Sequence, residues 1–157
     1  MAVKKQENIV EKKDSKKEYI FAVGRRRAAI ARVRLYAKAE SVAWADQTVK
    51  LGEIFVNGKK IEEYFSGDVT KVKYLKPFEI TNTLNKFITT IVVEGGGKNG
   101  QLDAAVLGIS RALSTHDKEF RPKLKVKGLL TRDSRARERR KVGTGGKARR
   151  TKQSPKR

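Results

Sequence analysis

The last 37 residues of the chain, 121–157, contain too little apolar surface to build a hydrophobic core of their own. They carry 16 Lys and Arg residues against two acidic ones, Asp133 and Glu138, and beyond Leu130 the only branched apolar residue is Val142. Ordering a chain costs roughly 1–2 kcal/mol per residue in conformational entropy, which buried apolar area must offset. We therefore expect a long extended basic tail that becomes ordered only on a partner.

The other 120 residues divide by composition into two parts. Residues 1–18 hold six lysines, four acidic residues and few apolar side chains, which predicts a disordered lysine-rich extension. Residues 19–120 hold nearly all the aromatic and branched apolar side chains, enough for one compact domain. The predicted organisation is an extension (1–18), a folded body (19–120) and a tail (121–157).

The formal net charge of +21 exceeds what solubility requires and indicates a polyanionic partner, with nucleic acid as the first candidate. An anionic membrane is the rival, but no apolar run approaches the length of a transmembrane helix, so we expect no membrane partner. The chain has no cysteine, which excludes thiolate metal sites and fits a reducing compartment. Its start is too polar for an export signal, so we expect a cytoplasmic protein.

Strand patterns dominate the first part of the body. From Ala28 to Tyr36 apolar and more polar residues alternate, the period of a half-buried strand. The preceding 19–23 is also strand-like, so residues 24–27 are predicted to form a bend or bulge that holds three guanidinium groups at one place. A short strand at 52–56 is predicted to end in a tight hairpin turn at Asn57-Gly58.

Helices and one central strand are predicted in the second part. We expect a short helix at 61–65, and Pro77 suits the first turn of another helix reaching about Asn85. Residues 86–94 are apolar on both faces, typical of a central strand. An apolar stripe from Leu102 to Leu113 predicts a helix of about four turns, in which Gly108 permits a close approach of sheet or RNA. The fold class expected is α+β, with helices packed on one sheet.

The segment Gly95–Gly100 matches the pattern G-x-G-x-x-G between a strand and a helix. Three interpretations stay open: a plain turn that needs positive φ, a contact with an RNA phosphate, or a nucleotide site. The last is the weakest, because a dinucleotide fold needs a following strand that ends in an acidic residue.

The sequence offers little that could serve catalysis. His116 is the only histidine and lies near a predicted helix end, and the adjacent Glu62 and Glu63 point apart on a helix. No nucleophile–base set or cluster of metal ligands stands out, so we expect neither an enzyme nor a cofactor.

Three motifs stand out in order along the chain: GRRRAAIARV at 24–33, GGG at 95–97 with GISRAL at 108–113, and TRDSR at 131–135 with ERRKVG at 138–143. By these motifs the chain resembles a known family, bacterial-type small-subunit ribosomal protein nine. The resemblance implies a domain like the second domain of ribosomal protein five, placed on the head of the small subunit, with a tail that threads ribosomal RNA. It implies that the terminal Lys156 and Arg157 contact peptidyl-site transfer RNA. The family usually has an aromatic residue and a serine before that pair, where this chain has Ser154-Pro155.

The first hypothesis is therefore a structural constituent of the small ribosomal subunit, with neighbouring ribosomal proteins, ribosomal RNA and peptidyl-site transfer RNA as partners. A cytoplasmic ribosome is expected, and an organellar ribosome stays open as the alternative. An architectural DNA-binding protein and a nucleotide-dependent enzyme are the alternatives. Arginine forks bind phosphate oxygens in pairs, and lysines supply point charges. The residues expected to bind ribosomal RNA are Arg25, Arg26, Arg27, Arg32, Lys98, Arg111, Arg132, Arg135, Arg137, Arg139, Arg140, Lys141, Lys147, Arg149 and Arg150.

Overall fold

A computed structural model describes residues 19–44 and 47–142 as a mixed α+β fold. In chain order its elements are β1 (Tyr19–Arg26), β2 (Ala29–Tyr36), β3 (Ser41–Trp44), β4 (Gln47–Lys50), β5 (Ile54–Val56), β6 (Lys59–Lys60), α1 (Ile61–Tyr64), α2 (Asp68–Ile80), β7 (Ile88–Glu94), α3 (Lys98–His116) and α4 (Phe120–Val126). The main sheet has the order β1-β2-β7-β5-β6, and β3 with β4 forms a separate two-stranded sheet. Within the described ranges no helix is long and apolar enough to cross a membrane.

The alternation predicted for β2 is confirmed. Ala29, Ala31, Val33 and Leu35 are fully buried, whereas Ile30, Arg32 and Arg34 between them are exposed. The buried set belongs to the main core cluster, which also holds Leu102, Ile109 and Leu113 of α3. The main core therefore lies between the sheet and its helices, as the predicted fold class requires.

β7 is the central strand of the sheet, as predicted. It pairs antiparallel with β2 and parallel with β5. Ile91 joins the main core, while Ile88 joins a second buried cluster with Tyr36, Val49 and Phe55 on the opposite face. Because Val49 lies on β4, the β3–β4 hairpin covers that end of the second face. The sequence patterns did not predict this hairpin.

Of the bend or bulge predicted at residues 24–27, the bulge is wrong, and the bend occurs only at the end of the segment. β1 runs without interruption to Arg26, and each of its residues pairs with one residue of β2. The chain reverses at Arg27, which has a φ of 51°. The role of Gly24 is different: a Cβ there would lie 1.9 Å from the Ala104 carbonyl oxygen of α3.

Gly108 of α3 also lies close to the sheet. A Cβ on Gly108 would lie 2.6 Å from Cγ2 of Val33 and 3.3 Å from the Gly24 nitrogen. The sequence left open whether the sheet or RNA approaches Gly108, and in the structure the sheet lies against it. The two glycines allow α3 to lie on β1 and β2 at backbone contact.

The second predicted helix is also wrong in its bounds. α2 begins at Asp68 after Gly67, whose φ is 109°, and Pro77 lies in its last turn and not in its first. Only three residues of α2 are buried, Tyr74, Pro77 and Phe78, so its apolar periodicity is weak. The helix cannot reach residue 85, because Asn82 and Asn85 have positive φ.

The predicted tail starts too early. α4 crosses the predicted boundary at residue 120, Leu124 is fully buried, and Leu129 and Leu130 pack against the core. The packed body therefore extends to about Leu130, and residues 131–142 contain neither helix nor strand. The boundary was missed because the apolar residues of this segment are dispersed among lysines and arginines. The predicted 1–18 extension and residues 143–157 lie outside the described residues.

Leu124→Ala is expected to lower the free energy of unfolding by about 2–5 kcal/mol, because it removes a buried side chain and leaves a cavity. Urea unfolding followed by circular dichroism measures the change. Val126→Ala in the same helix is the control, since Val126 is 85% exposed and should alter stability by less than about 0.5 kcal/mol. Equal effects of the two substitutions would mean that α4 is not docked.

Candidate nucleic-acid interface

Basic side chains surround a cleft between the β1–β2 turn and the start of α3. The cleft has a volume of about 410 Å³ and is lined by residues 26–28 and 96–100, including Arg26, Arg27 and Lys98. We call it the glycine-loop cleft. It brings together three of the arginine and lysine residues that the sequence predicted to bind RNA.

The backbone conformation of this loop accounts for its glycines. Gly95 and Gly96 have φ values of 68° and 63°, and a Cβ on Gly95 would lie 2.4 Å from the Ala28 carbonyl oxygen. The loop therefore needs glycine to turn from β7 into α3 beside the β1–β2 turn. Among the described elements α3 leads into α4 and not into a strand, so the dinucleotide-binding arrangement is missing.

The start of α3 presents backbone donors to the glycine-loop cleft. Gly97 is its N-cap and makes no side-chain capping bond. The first intrahelical donor is the Gln101 amide, which bonds the Gly97 carbonyl at 2.9 Å. The N–H groups of Lys98, Asn99 and Gly100 precede it and have no helical acceptor. A helix N-terminus with free donors and a partial positive charge suits an anion.

Arg26 connects this cleft to the tail. Its Nη2 lies 2.8 Å from Oδ2 of Asp133, its Nη1 donates to the Arg135 carbonyl oxygen at 2.7 Å, and its Nε lies 3.8 Å from Oδ2 of Asp103 on α3. The Arg26 side chain is only 12% exposed. We call residues 131–135 the tail root, because there the tail leaves the packed body while Arg26 of the body contacts it.

Asp133 is held on both sides by arginine. Its carboxylate accepts bonds from the Arg135 backbone N–H and guanidinium at 2.7–3.1 Å. These bonds, chiefly that of the Arg135 side chain, hold the pKa of the Asp133 carboxyl well below its usual range, with Arg26 adding to the effect. The carboxylate is therefore charged throughout the physiological pH range.

A second basic surface lies on the part of the sheet that β3 and β4 leave uncovered. Arg25 is exposed, Arg32 forms an ion pair with Glu94, and the Arg34 guanidinium lies 5.1 Å from the centre of the Tyr19 ring. Phe21, which pairs across the strands with Arg34, is 49% exposed. Phe21 and Arg34 were not among the predicted site residues, although the alternation that exposes Arg32 exposes Arg34 as well.

Arg111 does not join either surface. It is half-buried on α3, and its Nη1 donates to the Val23 carbonyl of β1 at 2.7 Å. Its guanidinium therefore fastens the helix to the first strand, a structural role that its place in the sequence did not reveal.

The described part of the tail carries the other predicted cations. All of them are exposed: Arg132, Arg135, Arg137, Arg139, Arg140 and Lys141. Beside the tail root, Lys73 and Lys76 of α2 line a second cleft of about 240 Å³ with Leu129 and Thr131. Sequence reasoning missed these two lysines because it placed the start of this helix near Pro77, after both of them. Lys147, Arg149, Arg150, Lys156 and Arg157 lie outside the described residues.

The described residues contain no group of His, Asp and Glu side chains that could hold a metal ion. His116, the only histidine, packs edge-on against Phe87 with ring centres 5.0 Å apart. Its contact is with an aromatic ring at the edge of the core.

Comparison with known proteins agrees with the three motifs. A family model described as Ribosomal protein S9/S16 matches residues 24–157. The small ribosomal subunit protein uS9 of Thermus thermophilus is 43% identical over 140 residues, which cover 89% of this chain and 99% of that protein. The protein of the same name from Maridesulfovibrio salexigens is 43% identical over 130 residues, or 83% and 91% of the two chains. The chain therefore belongs to the ribosomal protein S9/S16 family.

Proposed function

We propose that the chain is a structural constituent of the small ribosomal subunit. It binds ribosomal RNA of the subunit head through its body and tail, and the end of the tail contacts peptidyl-site transfer RNA. The observation that carries this proposal is the contact of Arg26 with the tail root. Because Arg26 also lines the glycine-loop cleft, the tail leaves the body beside the cations of that cleft.

The glycine-loop cleft fits a phosphate of the RNA backbone. Arg27 and Lys98 supply positive charge, and the free N–H groups at the start of α3 supply directed donors. Binding of this kind depends on the position of a phosphate and not on the identity of a base. The cleft would therefore set where the body lies on folded RNA.

The uncovered part of the sheet fits an unpaired stretch of RNA. Arg25 and Arg34 attract phosphates, and the exposed ring of Phe21 offers a face on which a base can stack. The tail adds arginines with only two acidic residues in 37, as expected for a segment that follows the RNA backbone.

In this proposal the body has the fold of the second domain of ribosomal protein five, and the residues beyond Leu130 form the long basic tail. Neighbouring small-subunit proteins are further partners. The chain needs no catalytic group of its own, since phosphate neutralisation and shape account for binding.

Competition between nucleic acids tests the proposal against the DNA-binding alternative. The full chain is titrated with small-subunit ribosomal RNA and with duplex DNA of equal length above physiological salt, where non-specific binding weakens. We expect a clear preference for ribosomal RNA and cosedimentation with small subunits. Equal affinities, together with a failure to cosediment, would favour an architectural DNA-binding protein.

Removing Lys156 and Arg157 should leave assembly intact but weaken transfer-RNA binding at the peptidyl site. The variant loses two of 38 basic residues, too few to affect the total contact with ribosomal RNA strongly. Filter binding of transfer RNA to reconstituted subunits measures the effect, and replacement of Lys147 and Arg149 by Gln is the charge-matched control. If the truncated subunit holds transfer RNA as tightly as the control subunit does, the assigned role of the last two residues is wrong.

A further inference from the structure

Asp133 places a negative charge in a segment of the tail whose charged residues are mostly positive. Residues 131–142 include six Lys and Arg residues, and a carboxylate among them repels the phosphates that the others attract. Two acidic residues nevertheless occur there. Glu138 is exposed, whereas the Asp133 side chain is 33% exposed and contacts the body.

Asp133 contacts the body through Arg26. Arg26 forms an ion pair with the carboxylate through Nη2 and donates a hydrogen bond to the Arg135 carbonyl oxygen through Nη1, so one guanidinium holds a side chain and the backbone two residues further on. The same carboxylate bonds the Arg135 N–H, which closes a local turn at the tail root. Arg26 is itself fixed, because its side chain is 12% exposed and lies beside Asp103 of α3.

We propose that Arg26 and Asp133 form a clasp that fixes the tail root on the body before RNA is bound. This inference rests on the proposed function, because it concerns how the tail meets RNA. Asp133 is a positioning residue: it touches no RNA, and it sets the point and the direction from which the tail leaves the body.

The benefit of such a clasp is entropic. Every residue that must be ordered on binding weakens the complex, by the equivalent of roughly fivefold or more in affinity. Residues 131–135 are already held when RNA arrives, beside the glycine-loop cleft that Arg26 also lines. Contact of the body with RNA therefore brings the following arginines to nearby phosphates at a high effective concentration.

The clasp predicts an effect opposite in sign to that expected from charge alone. Asp133→Asn and Glu138→Gln each remove one negative charge from the same segment of the tail. If both carboxylates were merely solvated, both variants would bind ribosomal RNA more tightly. With the clasp, Glu138→Gln tightens binding and Asp133→Asn weakens it, by about fivefold for each residue released.

A spin label gives a readout that does not depend on RNA. The chain has no cysteine, so Ser134→Cys in the full-length protein provides one labelling position beside Asp133. The nitroxide should be restrained in the parent and in the Glu138→Gln protein, and mobile in Asp133→Asn and in Arg26→Gln. Combining Arg26→Gln with Asp133→Asn should add little further mobility, because either change alone opens the clasp.

The outcomes separate the two proposals. Tighter binding of ribosomal RNA by Asp133→Asn, or an unchanged spectrum of its label, would overturn the clasp while leaving the proposed function in place. Lack of preference for ribosomal RNA by the parent protein would overturn the proposed function, and the label spectra would still decide whether the clasp exists. Thermal unfolding of each variant checks that the body remains folded.

Discussion

Gly24→Ala is expected to destabilise the protein by more than about 3 kcal/mol, a large fraction of the total stability of an ordinary domain. The new methyl group would lie 1.9 Å from the Ala104 carbonyl oxygen and 2.5 Å from the Gly108 nitrogen. Both atoms belong to the backbone of α3, so no side-chain rotation can make room. Relief requires the helix to move away from β1 and β2, which opens the main core.

A matched glycine in α3 provides the control. A Cβ on Gly100 would meet only ordinary contacts, at 3.7 Å from Ala29 Cβ and the Arg26 carbonyl oxygen. Gly100→Ala should therefore keep or raise stability, by up to about 1 kcal/mol, since alanine favours helix. Thermal and urea unfolding measure both variants. A Gly24→Ala protein as stable as the parent would show that α3 does not lie against β1 as described.

Removing residues 132–157 is expected to weaken the binding of ribosomal RNA on the order of a thousandfold near physiological salt. The deletion removes 12 basic and two acidic residues but stops short of Leu130, so the packed body remains complete. If half of those cations touch phosphates, the slope of log affinity against log salt should fall by about 4. Titrations at several salt concentrations measure both quantities.

A shorter deletion shows whether the loss follows the charge. Removing residues 143–157 takes away six basic residues and no acidic one, and it leaves the clasp in place. The affinity of this variant for ribosomal RNA and its salt slope should each lie between the values of the parent and those of the longer deletion. If both deletions leave the salt slope unchanged, the tail does not bind phosphates, and RNA binding resides in the body alone.

The elements that the sequence predicted best are those set by local patterns. β2 follows its alternation, the β5–β6 turn follows Asn57-Gly58, and α3 follows its apolar stripe. α3 begins four residues before that stripe, since Lys98 and Asn99 already lie in its first turn. Each of these features depends on residues close together in the chain.

The elements that were missed depend on distant contacts. The need for glycine at position 24 comes from α3, about 80 positions later, and not from a turn. α2 and α4 each bury a few side chains against a core made elsewhere, so neither shows a strong period. The β3–β4 hairpin is placed by Val49, which packs with Tyr36 and Ile88 of the main sheet.

In the candidate site, too, features set by local sequence could be predicted and features set by distant contacts could not. Charge and the turn at residues 95–100 directed attention to Arg27 and Lys98, which the structure brings together at the glycine-loop cleft. The clasp was not predictable, because it joins Arg26 to Asp133, which lies 107 positions later in the chain. For the same reason, composition alone would read Asp133 as one more solvated charge.

The place of β7 has a consequence for synthesis of the chain. β7 is the last of the described strands to be made, yet it lies between β2 and β5 and pairs with both. Until residues 88–94 have left the exit tunnel, the β1–β2 hairpin and β5 share no partner, and α3, which covers β1 and β2, does not yet exist. Contacts so distant in sequence make folding slow, so we expect the sheet to be completed late. The newly made chain must remain soluble through that interval, with its aliphatic strands exposed.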